Sequence, residues 1–342
     1  MRNIPLTIFC RVAVATALLV VSTASCMHDS LKDEPGRELI LVASPEASVK
    51  APVTGETFPQ SRSLLLSSRI TGGETWFTAV PFTYDSGSGA WRGQPAKFWP
   101  LTGTLDFLSV SAGSYDTAVA WNADPASGAE LTVGDNSTVQ EDILFASRQG
   151  AALPGNVPLL YSHALALLQM SVSADVAYDA ATNTGITVSS IELLPAWWGG
   201  RVVATAASNA VTYAWSDLSS RKERSVLEGA SFGVPASATD VGAAVMLPPQ
   251  AAPGFTVNYT QHNGYDASGG EVNLPLSFTH IPTEGYLLSG QRWTWGIHFT
   301  LDHVTVNGSI EPWHEVSQEV SMALFSTVGT TVTPKTADGE WQ

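Results

Sequence analysis

Arg292-Trp293-Thr294-Trp295-Gly296-Ile297-His298-Phe299 sets a large apolar side chain on every second residue, with polar or small residues between them. Side chains of a strand alternate between its two faces, so a run of this kind buries one face and leaves the other in water. The same alternation, punctuated by Gly, Pro, Asn and Asp, recurs from Leu39 onward. Residues 38–44, 64–69, 76–84, 105–111, 186–194, 199–205, 242–247, 255–260 and 292–301 all read as short strands. Two stretches have a helical composition: 142–147 (DILFAS) is short, and 159–171 (LLYSHALALLQMS) passes into a strand-like pattern at 170–176. The expected class is therefore all-β with little helix. A polar stretch at 177–185 (AYDAATNTG) separates two comparable sets of strands and predicts two tandem antiparallel β-sandwiches, 38–180 and 181–342.

The composition agrees. The 342 residues suit two domains at about 150 each, and 44% apolar residues can fill a core in both. Only 14% are charged, against about 25% in an average globular protein, whereas Gly (29) and Pro (20) are plentiful. A formal charge of -15, with 16 scattered Lys and Arg, excludes nucleic acid as a partner, because phosphate binding needs clustered cations. An anionic membrane surface is disfavoured for the same reason.

The N-terminus reads as a targeting segment. Arg2 and Arg11 give a basic flank, 12–21 (VAVATALLVV) is a short apolar run, and small residues lead into Cys26. This resembles a lipoprotein signal peptide (1–25), with Cys26 as the lipidated residue and 26–37 as a tether. An ordinary secretory peptide and a membrane span are the alternatives, the second opposed by Arg11 inside the run. Loss of the peptide removes Cys10, so no disulfide staples the fold.

Catalytic constellations are sparse. His314-Glu315 is followed by Val316, Ser317 and Gln318, without the second histidine a zinc helix needs, and the other histidines are dispersed. No metal, cofactor or catalytic residue is expected, and a hydrolase would need a convergent carboxylate pair that a sequence cannot reveal. Among the 11 tryptophans, adjacent Trp197 and Trp198 must point to opposite faces of a strand, making them the candidate contacts for a glycan. Trp76, Trp91 and Trp99 read as core filling.

Several phrases in order carry a more specific likeness. Phe82-Thr83-Tyr84, Trp91, Phe98-Trp99-Pro100, Leu105-Asp106-Phe107 and Ser109-Val110-Ser111 are followed by 140–146 (QEDILFA) and 162–166 (SHALA), then by 186–194 (ITVSSIELL), 246–250 (MLPPQ) and 293–299 (WTWGIHF). The pattern spans roughly 38–313 and resembles the Mfa-like fimbrillins. That resemblance implies transthyretin-like sandwiches, a subunit of a type V fimbria, and export as a lipoprotein to the outer membrane and cell surface. The implied partners are other fimbrial subunits, outer-membrane lipid through Cys26 before maturation, and a host or bacterial surface glycan or protein; a tip adhesin or surface glycan-binding lipoprotein is the alternative role. It also implies a maturation cut after a basic residue just beyond the first strand, which then leaves a groove for a neighbour's strand. By position the strand is 38–44, and the basic residue is Lys50, where the family usually has Arg; Arg37 and Arg62 are the alternatives.

Leu39, Ile40, Leu41 and Val42 are apolar on both faces, as expected of a strand buried on both sides. Full burial of all four is worth about 6 to 12 kcal/mol as an upper bound. At the other end, the tail 314–342 carries Val320, Met322, Leu324, Val328 and Val332 on one period-two face. That face suits either a donated strand or the last strands of the chain's own C-terminal sandwich.

Overall fold

The computed structural model describes residues 37–45, 58–153, 155–229, 231–300 and 303–313. The signal segment, Cys26, Lys50, and the tail with Val320, Met322, Leu324, Val328 and Val332 lie outside the described residues. In chain order the strands are β1 (Ile40–Pro45), β2 (Leu64–Ile70), β3 (Thr75–Asp85), β4 (Ala90–Gly93), β5 (Leu105–Ser111), β6 (Val119–Trp121), β7 (Gly128–Val133), β8 (Leu144–Ala151) and β9 (Val157–His163). There follow β10 (Ala166–Ala174), β11 (Thr184–Ala207), β12 (Ala210–Leu227), β13 (Phe232–Gly233), β14 (Thr239–Leu247), β15 (Phe255–Tyr265), β16 (Glu271–His280), β17 (Gln291–Phe299) and β18 (Val304–Pro312). Among the described residues, the helical content is a single 3-10 turn at Gly113–Ala118. The protein is all-β.

Seven strands, in the order β1-β4-β3-β2-β5-β8-β9, close into a barrel. A sheet closed on itself wraps a core as two packed sheets do. A four-stranded sheet, β14-β10-β17-β18, lies against a larger one built on β16-β15-β11-β7-β6, with β12 and β13 also paired to β11. Two pairings among the described strands are parallel, β1 with β9 and β10 with β17; the others are antiparallel.

Three cores result, and β5 shows how they share walls. All of its residues are buried, yet Leu105 and Phe107 enter the barrel core while Leu108 and Val110 enter a second core at the junction with β7 and β11. Its neighbour β8 divides likewise, Leu144 and Ala146 facing the barrel and Phe145 the junction. A strand covered on both sides must be continuously apolar or hold its polar groups in bonds. Ser109 obeys, its hydroxyl 2.5 Å from that of Tyr161 inside the barrel wall. The third core lies between the other two sheets, around Trp198, Phe255, Trp295 and Phe299.

The two stretches of helical composition form no helix: 144–147 opens β8, and 159–171 is the end of β9, a two-residue crossing and the start of β10. Val157, Leu159, Tyr161 and His163 are buried while Pro158 and Leu160 are exposed, so the wet-dry alternation of β9 overrides the helical preference of its leucines. The division expected near residue 180 does not separate the sheets. Strand β10 pairs with β14 and β17, and β7 pairs with β11 from Gly128↔Thr205 to Val133↔Gly200. The chain changes sheet at Ala164 and Leu165, both fully buried. The polar stretch 177–185 is instead the turn from β10 to β11, where Asp179 accepts hydrogen bonds from the Ala181 N–H and the Thr182 hydroxyl.

Candidate functional site

Strand β1 is the element through which the barrel closes. Ile40 and Leu41 stand opposite Arg92 and Trp91 of β4, and Leu41 to Pro45 run parallel to Val157 to Tyr161 of β9. The pairing begins before the strand: the Leu39 N–H donates to the Lys97 carbonyl at 2.6 Å and the Trp99 N–H to the Arg37 carbonyl at 2.9 Å. Leu39, Leu41 and Ala43 project into the barrel core, alongside Trp91, Trp99 and Tyr161. Their neighbours do not. Ile40 is half-buried and Val42 is 40% exposed, so the strand is covered on one face only, because the barrel's outer wall is open to water there. The burial expected for four side chains falls to that of Leu39 and Leu41, about 3 to 6 kcal/mol.

The described residues on either side of the linker 46–57 both meet Tyr161. Pro45, before it, is in register with Tyr161, and Phe58, after it, packs its ring 4.6 Å from the Tyr161 ring and 5.7 Å from Trp91. Phe58 is 1% exposed and packs on Tyr161 and Trp91, in the barrel core that also holds Leu39, Leu41 and Ala43. Tyr161 is a rigid post for both ends: burial pushes its phenol well above the ordinary range, and it stays neutral.

Arg37 and Arg62 are placed unlike a residue in that linker. Arg37 precedes β1, so a cut after it leaves the strand in the barrel; its guanidinium donates to the Trp99 and Pro100 carbonyls. Arg62 follows the Phe58 anchor and is tied down. Its Nη1 donates to the Asp142 carbonyl at 2.9 Å, its Nη2 lies 3.8 Å from Glu141, and its own N–H donates to Pro59.

Two residues beyond Tyr161 on the same face of β9, His163 receives the last described residue of the chain. Its ring stacks on Trp313 with centroids 3.7 Å apart and planes 14° apart, and its Nδ1 lies 3.0 Å from the Asp142 carboxylate. The Trp313 N–H donates to Gly290 at 2.9 Å. The end of β9 therefore holds both feet of the linker and the root of the tail. Neither Phe58 nor Trp313 stood out in the sequence as an anchor, and the helical composition of 159–171 hid that Tyr161 and His163 share one face of a strand.

The paired tryptophans separate as adjacent strand residues must. Trp198 is fully buried, with its indole N–H donating to the Lys222 carbonyl at 2.9 Å, and so it cannot meet a glycan. Trp197 is half-buried on the opposite face, beneath the Arg221 guanidinium. Beside them, Lys222 meets Asp135 at 2.6 Å, and hydrogen bonds from Lys222 and then Ser137 bring that carboxyl down to about 2. Among the described residues, no group of His, Cys, Asp and Glu is placed to hold a metal ion, and no helix is long and apolar enough to cross a membrane.

A sequence model of the family described as Fimbrillin-like matches residues 64–313. No curated protein matches. Among solved structures, a fimbrial protein from Bacteroides vulgatus is similar over 81% of this chain and 100% of its own, with a TM-score of 0.58 and 15% identity. Two candidate cell adhesion proteins, from Bacteroides uniformis and Bacteroides ovatus, have TM-scores of 0.50. The first covers 81% of this chain and 99% of its own at 13% identity, and the second 84% and 100% at 14%.

Proposed function

The chain belongs to the Fimbrillin-like family, and from that premise we propose that it is a structural subunit of a cell-surface fimbria, assembled by proteolytic release of β1 and insertion of a neighbour's strand. The observation that carries this reading is the way β1 is held. It closes the barrel by edge pairing on both sides, and it is joined onward only through a linker whose far foot, Phe58, has its own place in the core. Its departure leaves two unpaired strand edges flanking an apolar slot, a surface that takes up an extended peptide by backbone hydrogen bonding.

Lys50 is the cleavage residue of this reading, since it falls in the linker while Arg37 and Arg62 flank it on the wrong sides. Cys26, the lipidated residue, lies on the leaving piece, so one cut both opens the groove and frees the subunit from outer-membrane lipid. The replacement is the tail, with Val320, Met322, Leu324, Val328 and Val332 entering the slot. At about 3.3 Å per residue that run covers roughly 40 Å, enough to reach from one subunit into the next. Trp313, the last described residue before the tail, stacks on His163 two residues along β9 from Tyr161, and this supports a tail that starts close to the slot β1 would leave.

The test is native digestion with a Lys-specific protease, followed by N-terminal mass analysis and an unheated denaturing gel. The expected result is loss of the piece ending at Lys50 and a detergent-resistant ladder that disappears when 320–332 is deleted or Lys50→Gln is introduced. A cleaved protein that loses β1 and stays monomeric contradicts the proposal.

A further inference from the structure

Trp197 is held in a way that core packing does not require. The side chain of Gln250, itself buried, clamps the main chain of Trp197 from both sides: the Trp197 N–H donates to Gln250 Oε1 at 2.8 Å, and Gln250 Nε2 donates to the Trp197 carbonyl at 2.8 Å. The clamp stands where the ladder between β11 and β12 shifts register between Leu193 and Ala196, an irregularity of the kind that re-aims a side chain. The indole turned outward is partly exposed, and among the described residues its N–H has no hydrogen-bond partner.

Directly across the ladder stands Arg221, in register with Trp197, its guanidinium 5.6 Å from the indole ring centre. It is exposed, and among the described residues it meets no carboxylate. Its Nε donates to the Pro195 carbonyl at 3.3 Å, which leaves the two terminal nitrogens free. Most other described arginines are engaged: Arg62, Arg69, Arg92, Arg201 and Arg292 all pair with acids. Arg221 opens the run Arg221-Lys222-Glu223-Arg224, three cations in four residues of a chain with net charge -15. Lys222 is neutralised by Asp135, and Glu223, on the face of Arg221, makes no ion pair with it. Arg224 lies over Trp198 on the other face without an acidic partner.

We infer that Trp197 and Arg221 form a binding site for a carboxylate-bearing sugar residue, a uronic acid or its like, displayed on a surface glycan. A guanidinium held against an indole offers its planar fork in a fixed orientation, and a carboxylate accepts two parallel hydrogen bonds from such a fork. The ring of the sugar then lies along the exposed edge of the indole, whose N–H meets a hydroxyl. A neutral sugar uses only the second half of this site. On a molecule so acidic, an anionic ligand is repelled everywhere that lacks such an unpaired cation, which supplies selectivity for the place as well as for the ligand. The site lies on β11 and β12, away from β1, so it stands whether or not strand exchange occurs.

The experiment compares methyl β-D-glucuronide with its neutral parent, methyl β-D-glucoside, by ligand-observed NMR and calorimetry on the uncleaved protein. The expected result is millimolar binding of the uronide, at least about tenfold tighter than the glucoside. Arg221→Gln, a change at an exposed position, should erase that preference while leaving the unfolding midpoint where it was. Raising the salt from about 20 to 500 mM should weaken the uronide alone. Equal affinity for the two sugars, no binding of the uronide at about 50 mM, or an undiminished preference in Arg221→Gln overturns the inference. So does Arg221-dependent binding of penta-glutamate in place of the uronide, which would make the site a peptide receptor.

Discussion

Leu41 stands opposite Val157 in a parallel ladder, and this contact turns a sheet with two free edges into a closed barrel. On its other side Leu41 is in register with Trp91 of β4, so one residue bridges the closure from both directions. The side chain is fully buried while that of Val42, next along the chain, is in water.

Substitutions at these two positions should therefore part company. Leu41→Ala removes a buried side chain from a packed core and is expected to cost about 2 to 5 kcal/mol. Val42→Ala, on the outer wall, should stay within about 0.5 kcal/mol of the parent. Denaturant unfolding of the uncleaved protein measures both, and equal effects would contradict the one-sided burial of β1.

Trp313→Ala should loosen the far end of β18. It removes the stack on His163 and a large side chain from the junction core, an expected loss of about 3 to 5 kcal/mol for a buried aromatic. Hydrogen exchange should rise at the N–H of residue 313, which donates to Gly290, before it rises in the barrel. Exchange unchanged at that position would remove Trp313 as the root of the tail.

Acid should weaken the barrel through Asp106. Burial alone would raise its carboxyl, but hydrogen bonds from the Gly150 N–H, Thr71 and Arg69 outweigh burial and hold it below the usual range. A folded-state value below the unfolded one contributes stability that is present above the unfolded value, near 3.9, and is lost as the pH falls through the folded one. The barrel's stability should therefore decline below about pH 4, and Asp106→Asn should flatten that limb while lowering stability at pH 7. Unfolding curves at pH 7 and pH 3 compare the two proteins directly.

Gln250→Ala leaves the N–H and carbonyl of Trp197 without their partners, at an expected cost of about 1 to 3 kcal/mol. Gln250→Glu aims a buried carboxylate at the Trp197 and Pro248 carbonyls, and at pH 7 should lower the thermal midpoint at least as far as the alanine variant does.

The alternation at 292–299 and the apolar first strand were readable because period two assigns faces, and faces are local. Neighbours are not. That β1 lies between β4 and β9, and that β10 joins β14 and β17, depends on pairings distant in sequence that alternation cannot specify. Leu and Ala give 159–171 a helical composition, and in its first part, β9, the exposure of Pro158 and Leu160 between buried neighbours is what marks a strand. Trp197 and Trp198 were recognisable as pointing apart, but which of them meets water was decided by Gln250 and Lys222, each more than 20 residues away. Phe58, the anchor that makes the linker separable, carried no signal of its own.

The most direct measurement is hydrogen exchange along β9 after the piece ending at Lys50 has been cut and removed. The account predicts that the amides of β9 and β4 that pair with β1 lose protection while β5 and β8 keep theirs, and that a synthetic peptide spanning 317–332 restores it. If the β9 amides stay protected without β1, or if protection collapses through β5 and β8 as well, β1 is not a replaceable strand and the assembly reading fails.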